Sequence, residues 1–148
     1  MHVTTLHDCD AAGGCHLVTG GTSGLGLLTG RWLAQLGAQD LWLLSRSGLL
    51  SQDTAAREQW RALQATDTAA IVAKGDASEP TDMRRYFASA FAGAWHAAGV
   101  LADGILSNLI ADAFVRVYAP KAHGAFALRR GSVSVSYTHL TLPTIPLV

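Results

Sequence analysis

The sequence lacks several features that define other classes of protein. Its only two cysteines, Cys9 and Cys15, have no metal or redox spacing, which favours a reduced, intracellular protein and predicts no metal site. No apolar run is long enough to cross a bilayer, and the polar first ten residues, with Asp8 and Asp10, do not form a signal peptide. Neither sign of charge is in excess, so neither nucleic acid nor a membrane surface is an expected partner. The sequence therefore predicts a soluble, cytoplasmic protein.

The length of the chain and its apolar content predict one globular domain with a buried core. There are 148 residues, of which 49% are hydrophobic, and this is enough to enclose a core but not two domains. Residues 1–14 show no periodicity and end in Ala-Ala-Gly-Gly, which is typical of a flexible lead-in.

The glycine-rich stretch from His16 to Gly26 predicts a strand, a tight turn and a helix in succession. A short apolar run breaks into glycines, and apolar residues then recur at helical spacing as far as Leu36. Gly20, Gly24 and Gly26 let the backbone turn sharply, approach a ligand and pack the helix onto the strand, while N–H groups at the helix start face an anion. We expect the pyrophosphate of a dinucleotide there. The alternative is a glycine-rich loop without a ligand.

An arginine follows the second predicted strand, Asp40–Leu44. The strand ends in Ser45-Arg46-Ser47-Gly48, and no carboxylate occurs in residues 41–48. In dinucleotide-binding folds an acidic residue here binds the ribose 2′-hydroxyl of NAD, whereas an arginine accommodates the 2′-phosphate of NADP. Arg46 therefore predicts NADP(H), with an ordinary solvated surface arginine as the alternative.

The rest of the pattern alternates helices with strands. The predicted elements are a helix at Thr54–Ala65, a strand at Ala69–Lys74, a helix from Pro80 to about Ala92, a strand at Ala94–Ala98 and a helical pattern from Leu106 to Leu128. Pro120 is expected to kink or end the last helix. Such alternation predicts a parallel sheet of order 3-2-1-4, with the cofactor at the carboxyl ends of the strands and strand four as an exposed edge.

Five motifs occur in an order that defines a family. They are Thr19-Gly20-x-x-x-Gly24-x-Gly26, Leu43-Leu44-Ser45-Arg46-Ser47-Gly48, Gly75-Asp76, His96-Ala97-Ala98-Gly99-Val100-Leu101 and Val117-Tyr118-Ala119-Pro120-Lys121-x-His123-Gly124-Ala125. From Gly14 to about Leu128 the chain resembles the ketoreductase domain of modular (type I) polyketide synthases, in the short-chain dehydrogenase/reductase superfamily. The resemblance implies a Rossmann-type α/β fold, truncated after the fourth strand and its following helix.

The same resemblance implies a reaction and its partners. The family reduces a β-ketoacyl group, carried on an acyl carrier protein, to the β-hydroxyacyl form with NADPH, in polyketide or fatty acid synthesis. Other synthase domains in the same polypeptide are then expected as partners. A free-standing short-chain reductase of a small carbonyl compound is one alternative, although Ala119-Pro120-Lys121 favours the synthase type. A non-catalytic nucleotide-binding or structural half-domain is the other.

The resemblance also assigns site residues. It implies pyrophosphate contacts from Gly20, Gly21, Thr22, Ser23, Gly24, Leu25 and Gly26, 2′-phosphate contacts from Ser45 and Arg46, adenine contacts from Asp76 and Ala77, and ribose and nicotinamide contacts from Ala97, Ala98 and Gly99. Asp76 is otherwise explained as a polar loop residue before a helix, and the small residues at 97–99 as close packing. His96 is expected to pack at the end of its strand.

Lys121 matches the active-site lysine of the family. A lysine beside the nicotinamide ribose can orient the sugar and lower the pKa of a tyrosine, which then protonates the carbonyl oxygen. The alternative is a surface lysine after a helix-breaking proline. Asp103 falls where the family has a Leu-Asp-Asp triplet associated with B-type stereochemistry, but it also fits a turn residue beside Gly104.

The sequence departs from the family after the lysine. The family's tyrosine, serine and asparagine come on the next strand and helix, yet no Tyr-x-x-x-Asn occurs, and Tyr137 is followed by Thr138-His139-Leu140-Thr141. The segment between Met83 and Trp95 is also shorter than the family pattern implies. We therefore expect this chain to keep much of the cofactor site but not the proton donor.

The last residues, 131–148, continue none of the earlier patterns. Val135–Leu140 resembles the translation of a transposon-end adapter used in sequencing libraries, so this segment is predicted to be non-native and the domain to span residues 15–130. The alternative is a genuine β-rich tail, since Ser-Val-Ser-Val-Ser alternates like a strand.

Overall fold

The computed structural model describes residues 14–89, 91–100 and 110–132, which form an α/β unit. The elements are β1 (Cys15–Thr19), α1 (Gly24–Gln35), β2 (Asp40–Ser45), α2 (Thr54–Gln64), β3 (Ala69–Lys74), α3 (Pro80–Tyr86), β4 (Gly93–His96), α4 (Ala111–Tyr118), a π-helical turn (Ala119–His123) and α5 (Gly124–Ser132). Asp103 and the part of the predicted non-native segment beyond Ser132 lie outside these ranges, as does the lead-in before Gly14.

The four strands form one parallel sheet in the order β3-β2-β1-β4, which confirms the predicted topology. Val18 of β1 lies opposite Leu43 of β2 on one side and Trp95 of β4 on the other. Because all the pairs are parallel, the carboxyl ends of the strands meet at one edge. The glycine turn after β1 lies at that edge.

Helices cover both faces of the sheet, and the alternation of side chains along each strand decides which face each residue reaches. On β2, Leu41 and Leu43 pack with α1 and α2, whereas Trp42 and Leu44 pack with α3 and α5. Fully buried side chains in the two layers include Leu17, Leu27, Leu41, Leu43, Leu44, Leu63 and Met83. A strand buried on both faces is expected to be apolar throughout, which explains the unbroken run Leu41–Leu44.

The predicted ends of α3 and β4 are wrong. The helix after Pro80 ends at Tyr86 and not near Ala92, because the Ala92 N–H already donates to the Cys15 carbonyl at 2.7 Å and continues the β1 ladder. The strand is Gly93–His96 and not Ala94–Ala98. Beyond it, the backbone of residues 97 and 98 lies against the Gly20 turn.

Pro120 interrupts the predicted helix, as expected: α4 ends at Tyr118, and Pro120 lies in the π-helical turn that follows. The chain passes from α4 through the π-helical turn into α5 and stays helical to Ser132. Proline has no N–H for the usual helical bond, and a π turn changes the pairing locally so that the helix resumes after it. Residues 106–109 of the predicted helix lie outside the described ranges. Among the residues that the structure describes, no helix is long and apolar enough to span a membrane.

Candidate functional site

The three glycines of the motif each meet a different steric requirement. Gly20 has φ +69°, and a Cβ there would lie 2.7 Å from the Ala97 carbonyl oxygen. Gly24 has φ +46°, and its Cβ would meet open space. A Cβ on Gly26 would lie 2.1 Å from the Gly20 carbonyl oxygen. The glycines thus permit the tight turn, the ligand approach and the close packing of helix on strand, in the order that dinucleotide folds use.

Hydrogen bonds fix the glycine turn to its neighbours. The N–H groups of Gly20 and Gly21 both donate to the Leu44 carbonyl at the end of β2, at 2.8 and 3.2 Å. The Thr22 carbonyl accepts from the Ser51 N–H at 3.0 Å. The turn is therefore held to the segment that carries Arg46.

The N-terminus of α1 opens toward this turn without a capping side chain. Ser23 is the N-cap in extended conformation, yet its side chain makes no capping hydrogen bond, and the first turn of the helix has no acidic residue. The first backbone N–H groups of a helix have no intrahelical partners and carry the positive end of the helix dipole. This end of α1 is thus suited to an anion.

Arg46 lies at the tip of a tight turn after β2. The Gly48 N–H donates to the Ser45 carbonyl at 3.2 Å, and the Gly75 N–H donates to the same oxygen at 2.9 Å. Gly48 has φ +65°, and a Cβ there would lie 2.7 Å from Lys74 Cβ. Arg46 itself is exposed, and no other described residue has a hydrogen bond or ion pair with its guanidinium. Its charge is therefore available to a ligand.

Asp76 follows β3 and has a local structural role. Its Oδ1 accepts from the Ser78 N–H at 2.9 Å and from the Ser78 hydroxyl at 2.7 Å. Its own N–H donates to Asp82 Oδ2 at 2.8 Å. These bonds account for Asp76 as a loop residue before α3, and the same residue also borders a cleft at the edge of the sheet.

This open cleft, of about 290 Å³, lies at the carboxyl ends of the strands. It is lined by Thr19, Gly20, Thr22, Ser23, Leu44, Ser45, Arg46, Ser47, Gly75, Asp76, Ala77, Ala98, Gly99, Val100 and Pro120. The structure therefore brings together predicted residues from the glycine turn and from the segments after β2, β3 and β4. Their roles in binding a cofactor stay predictions.

Some predicted site residues lie outside this lining. Gly21 is buried beneath the turn, Gly24 and Gly26 belong to α1, and Ala97 backs onto Gly20. Leu25 is 77% exposed on α1. These residues do not line the cleft, and their contacts with a cofactor stay predictions.

Sequence reasoning missed Thr19, Leu44, Ser47, Gly75, Val100 and Pro120 as cleft residues. All six adjoin a predicted residue, and Thr19 and Leu44 occur at or near the carboxyl ends of β1 and β2. The rule that ligands of parallel sheets bind at those ends was the signal that could have found them. Pro120 had no such signal, because its place in the cleft depends on the π turn.

Lys121 lies in the π turn, beside the last strand. Its Cε would be 3.5 Å from a Cβ on Gly99, so the side chain lies beside the segment that follows β4. On its other side Lys121 borders an open, largely apolar groove of about 660 Å³ with Phe114, Val115, Val117, Tyr118, Ala122 and His123. The lysine therefore lies between the cleft and this groove. In the described part of the chain, no cluster of His, Cys, Asp and Glu is arranged for a metal.

A parallel sheet with this glycine turn and a cleft at its carboxyl edge defines the class of Rossmann-type, dinucleotide-binding α/β domains. Within that class, the family model of the KR domain matches residues 14–141, and the chain belongs to this family. The match continues past Arg130, and the boundary between residues 130 and 131 stays a prediction.

The curated relatives are large synthases. The chain is 35% identical over 133 residues to a 6-methylsalicylic acid synthase of Arthrobotrys oligospora, covering 80% of this chain and 8% of that protein. It is 33% identical over 125 residues to a phthioceranic/hydroxyphthioceranic acid synthase of Mycobacterium tuberculosis, covering 80% of this chain and 6% of that protein. The chain thus spans a small fraction of these relatives.

Solved structures agree in fold. The first ketoreductase of the tylosin polyketide synthase matches with a TM-score of 0.71 and 27% identity, over 83% of this chain and 27% of that one. A ketoreductase from the first module of phoslactomycin biosynthesis in a Streptomyces species matches with a TM-score of 0.68 and 30% identity, over 79% of this chain and 28% of that one. The match to this architecture confirms the predicted Rossmann-type sheet.

Proposed function

We propose that this chain is the NADPH-binding part of a ketoreductase. Its parent protein reduces a β-ketoacyl group on an acyl carrier protein to the β-hydroxyacyl form, in polyketide or fatty acid synthesis. The observation that carries the proposal is the cleft, in which the glycine turn, the Arg46 turn and Gly99 surround one volume. The other synthase domains are its partners, and its location is cytoplasmic.

The shape and charge of the cleft fit a dinucleotide. Gly20 and Gly26 are positions where any side chain would collide with backbone, and Gly24 faces open space, so the turn leaves room for a pyrophosphate before α1. The uncapped helix start supplies N–H donors and a favourable dipole. We therefore assign the pyrophosphate to the turn from Gly20 to Gly26.

Arg46 gives the cofactor preference. Its guanidinium has no described protein partner, and it borders the same cleft as the glycine turn. A guanidinium presents paired donors that match a phosphate, whereas it gains much less from a ribose hydroxyl. NADPH is therefore preferred to NADH.

Lys121 orients the ribose at the nicotinamide end, beside Gly99. When bound, NADPH supplies the hydride that reaches the carbonyl carbon. The alkoxide also needs a proton, and the family's Tyr-x-x-x-Asn does not occur in this sequence. General acid catalysis contributes roughly 10²–10⁴-fold in rate, so this chain binds NADPH but does not itself reduce the substrate at a useful rate.

Titration of the chain with NADPH and NADH, followed by nicotinamide fluorescence, tests the proposal. Saturable NADPH binding is expected, and Arg46→Ala should weaken it about 10–100-fold, because hydrogen bonds to charged groups are worth about 1.5–3 kcal/mol. NADH affinity should change little. Arg61→Ala, which removes an exposed arginine of α2 outside the cleft lining, is the matched control.

The outcomes separate the competing functions. Absence of saturable binding to either nucleotide would favour a structural half-domain and contradict the proposal. Equal affinity for NADPH and NADH, unchanged in Arg46→Ala, would leave a nucleotide site but remove the NADP preference. Reduction of a β-ketoacyl thioester by the chain alone would contradict the assignment of the missing proton donor.

A further inference from the structure

One imidazole connects β1 and its neighbour β4 to the turn that carries Lys121. His96, the last residue of β4, has its Nδ1 2.7 Å from the Thr19 hydroxyl at the end of β1. Its Nε2 lies 3.2 Å from the carbonyl oxygen of Lys121. The ring therefore bridges three elements at the carboxyl edge of the sheet.

The Lys121 carbonyl fixes the direction of one hydrogen bond, and in a neutral ring the direction of the other follows from it. The Lys121 carbonyl can only accept, so Nε2 must carry the proton and donate to it. In a neutral imidazole Nδ1 is then the acceptor, and the Thr19 hydroxyl donates to it. Thr19 is fully buried, so this bond also satisfies a hydroxyl that would be costly to leave without a partner.

The helix is shaped to receive the ring. A Cβ on Gly124 would lie 2.7 Å from His96 Cε1, so glycine at this position lets the start of α5 approach the imidazole. The π turn directly precedes Gly124, and in this turn the backbone departs from α-helical pairing. The Lys121 carbonyl accepts the Gly124 N–H, and His96 supplies a second donor to the same oxygen.

We propose that His96 is a positioning residue, which fixes the backbone of Lys121 against the carboxyl end of β4 so that the lysine side chain lies over Gly99. This inference rests on the proposed function only for the role of Lys121 in cofactor binding. The bridge itself is a property of the chain. It assigns to His96 more than the packing role that the sequence predicted.

Two substitutions at His96 separate its two bonds. The amide nitrogen of glutamine reaches nearly as far as Nε2, so His96→Gln keeps a donor for the Lys121 carbonyl. The shorter asparagine reaches about as far as Nδ1. His96→Asn therefore keeps a polar group beside the Thr19 hydroxyl but loses the donor to the Lys121 carbonyl. His16→Asn is the matched control, because His16 also links β1 and β4, through the Trp95 indole at 3.5 Å, but at the opposite edge of the sheet.

The first measurement is amide hydrogen exchange of the 148-residue chain, resolved by peptide. His96→Asn is expected to speed exchange in the π turn and the start of α5 about 2–10-fold, the loss that one net hydrogen bond predicts. His96→Gln should restore most of the protection, and His16→Asn should leave this segment unchanged. The proposal would be overturned if His96→Asn and the wild type exchanged at the same rate in this segment. It would also be overturned if His96→Asn raised exchange evenly over the whole sheet.

The second measurement is NADPH affinity in a double-mutant cycle. His96→Asn should weaken binding about 2–10-fold in the wild-type background and much less in the Lys121→Ala background, because it acts through the lysine. Equal losses in both backgrounds would show that His96 does not act through Lys121. If the wild-type chain binds no NADPH, the proposed function fails while the exchange data still decide the bridge.

Discussion

Substitution of Gly26 by alanine tests the packing that brings α1 onto the glycine turn. The added Cβ would lie 2.1 Å from the Gly20 carbonyl oxygen and 2.6 Å from its carbonyl carbon. Both are backbone atoms, so no side-chain rotation can relieve the collision. The helix must move away from the turn by about an ångström or more to reach an ordinary contact distance.

Two opposing terms set the size of the effect. Alanine is favoured over glycine inside a helix by roughly 0.5–1 kcal/mol, which would stabilise the variant. Overpacking of a close contact costs about 1–3 kcal/mol, and a collision between backbone atoms is expected at the upper end. The net loss in free energy of unfolding is therefore about 2 kcal/mol, or a fall in Tm of roughly 8–12 °C.

Thermal unfolding followed by circular dichroism measures this loss, and Gly24→Ala is the control two residues away. No atom lies within 4 Å of a Cβ on Gly24, so only its left-handed φ of +46° is penalised, at about 1 kcal/mol. Gly24→Ala should therefore weaken NADPH binding with only a small fall in Tm. Gly26→Ala should give the larger fall in Tm. A Gly26→Ala chain that melts within about 2 °C of the wild type would refute the reasoning.

Three further predictions concern stability and its dependence on pH. The Ser51 hydroxyl and the Ala56 N–H donate to the Asp53 carboxylate and hold its pKa below the usual value. This N-cap therefore stabilises α2 above about pH 4, and its contribution fades as the pH falls further. Asp53→Ala should lower Tm at pH 7 but much less in acid, with Asp53→Asn as control. Tyr86→Phe removes a bond from the buried hydroxyl to the Lys74 carbonyl at 2.7 Å and should cost about 1 kcal/mol in urea unfolding. Because burial raises the pKa of Tyr86, the wild type, unlike the variant, should lose further stability above about pH 10, and equal losses in both would contradict this. Burial lowers the pKa of His16, so the unfolded chain takes up a proton first and Tm should fall as the pH drops from about 7 to 5; His16→Gln should flatten that profile.

Much of the fold follows from local sequence patterns. The bounds of β3 and the start of α2 agree with the prediction, because Ala69–Lys74 is a short apolar strand between turn residues and Asp53 is a good N-cap. The sheet order follows from the alternation of strands and helices and from right-handed crossovers. These are rules of local propensity and chain connection, and no distant contact has to be known in advance.

The errors arise where a distant contact decides the outcome. Phe87 and Phe91 continue the helical spacing of α3, yet Ala92 pairs with Cys15, and the helix must end earlier to let the strand begin. The two hydrogen bonds of His96 were missed for the same reason, since Thr19 and Lys121 are far from it in sequence. The glycine turn and Arg46, which border the cleft, could be singled out from the sequence because their spacing is local.

The π turn has a consequence for changes in chain length. Compared with an α-helix, it holds about one extra residue, which offsets the direction of the following side chains by roughly a quarter turn or more. Lys121 can thus face Gly99 while Ala127 and Leu128 face the core beneath α3. Deleting one residue between Ala119 and His123 would restore a uniform helix but rotate α5, so that either the lysine or the core residues lose their place. We therefore expect a deletion in this short segment to disturb the packing of α5 more than a single substitution does.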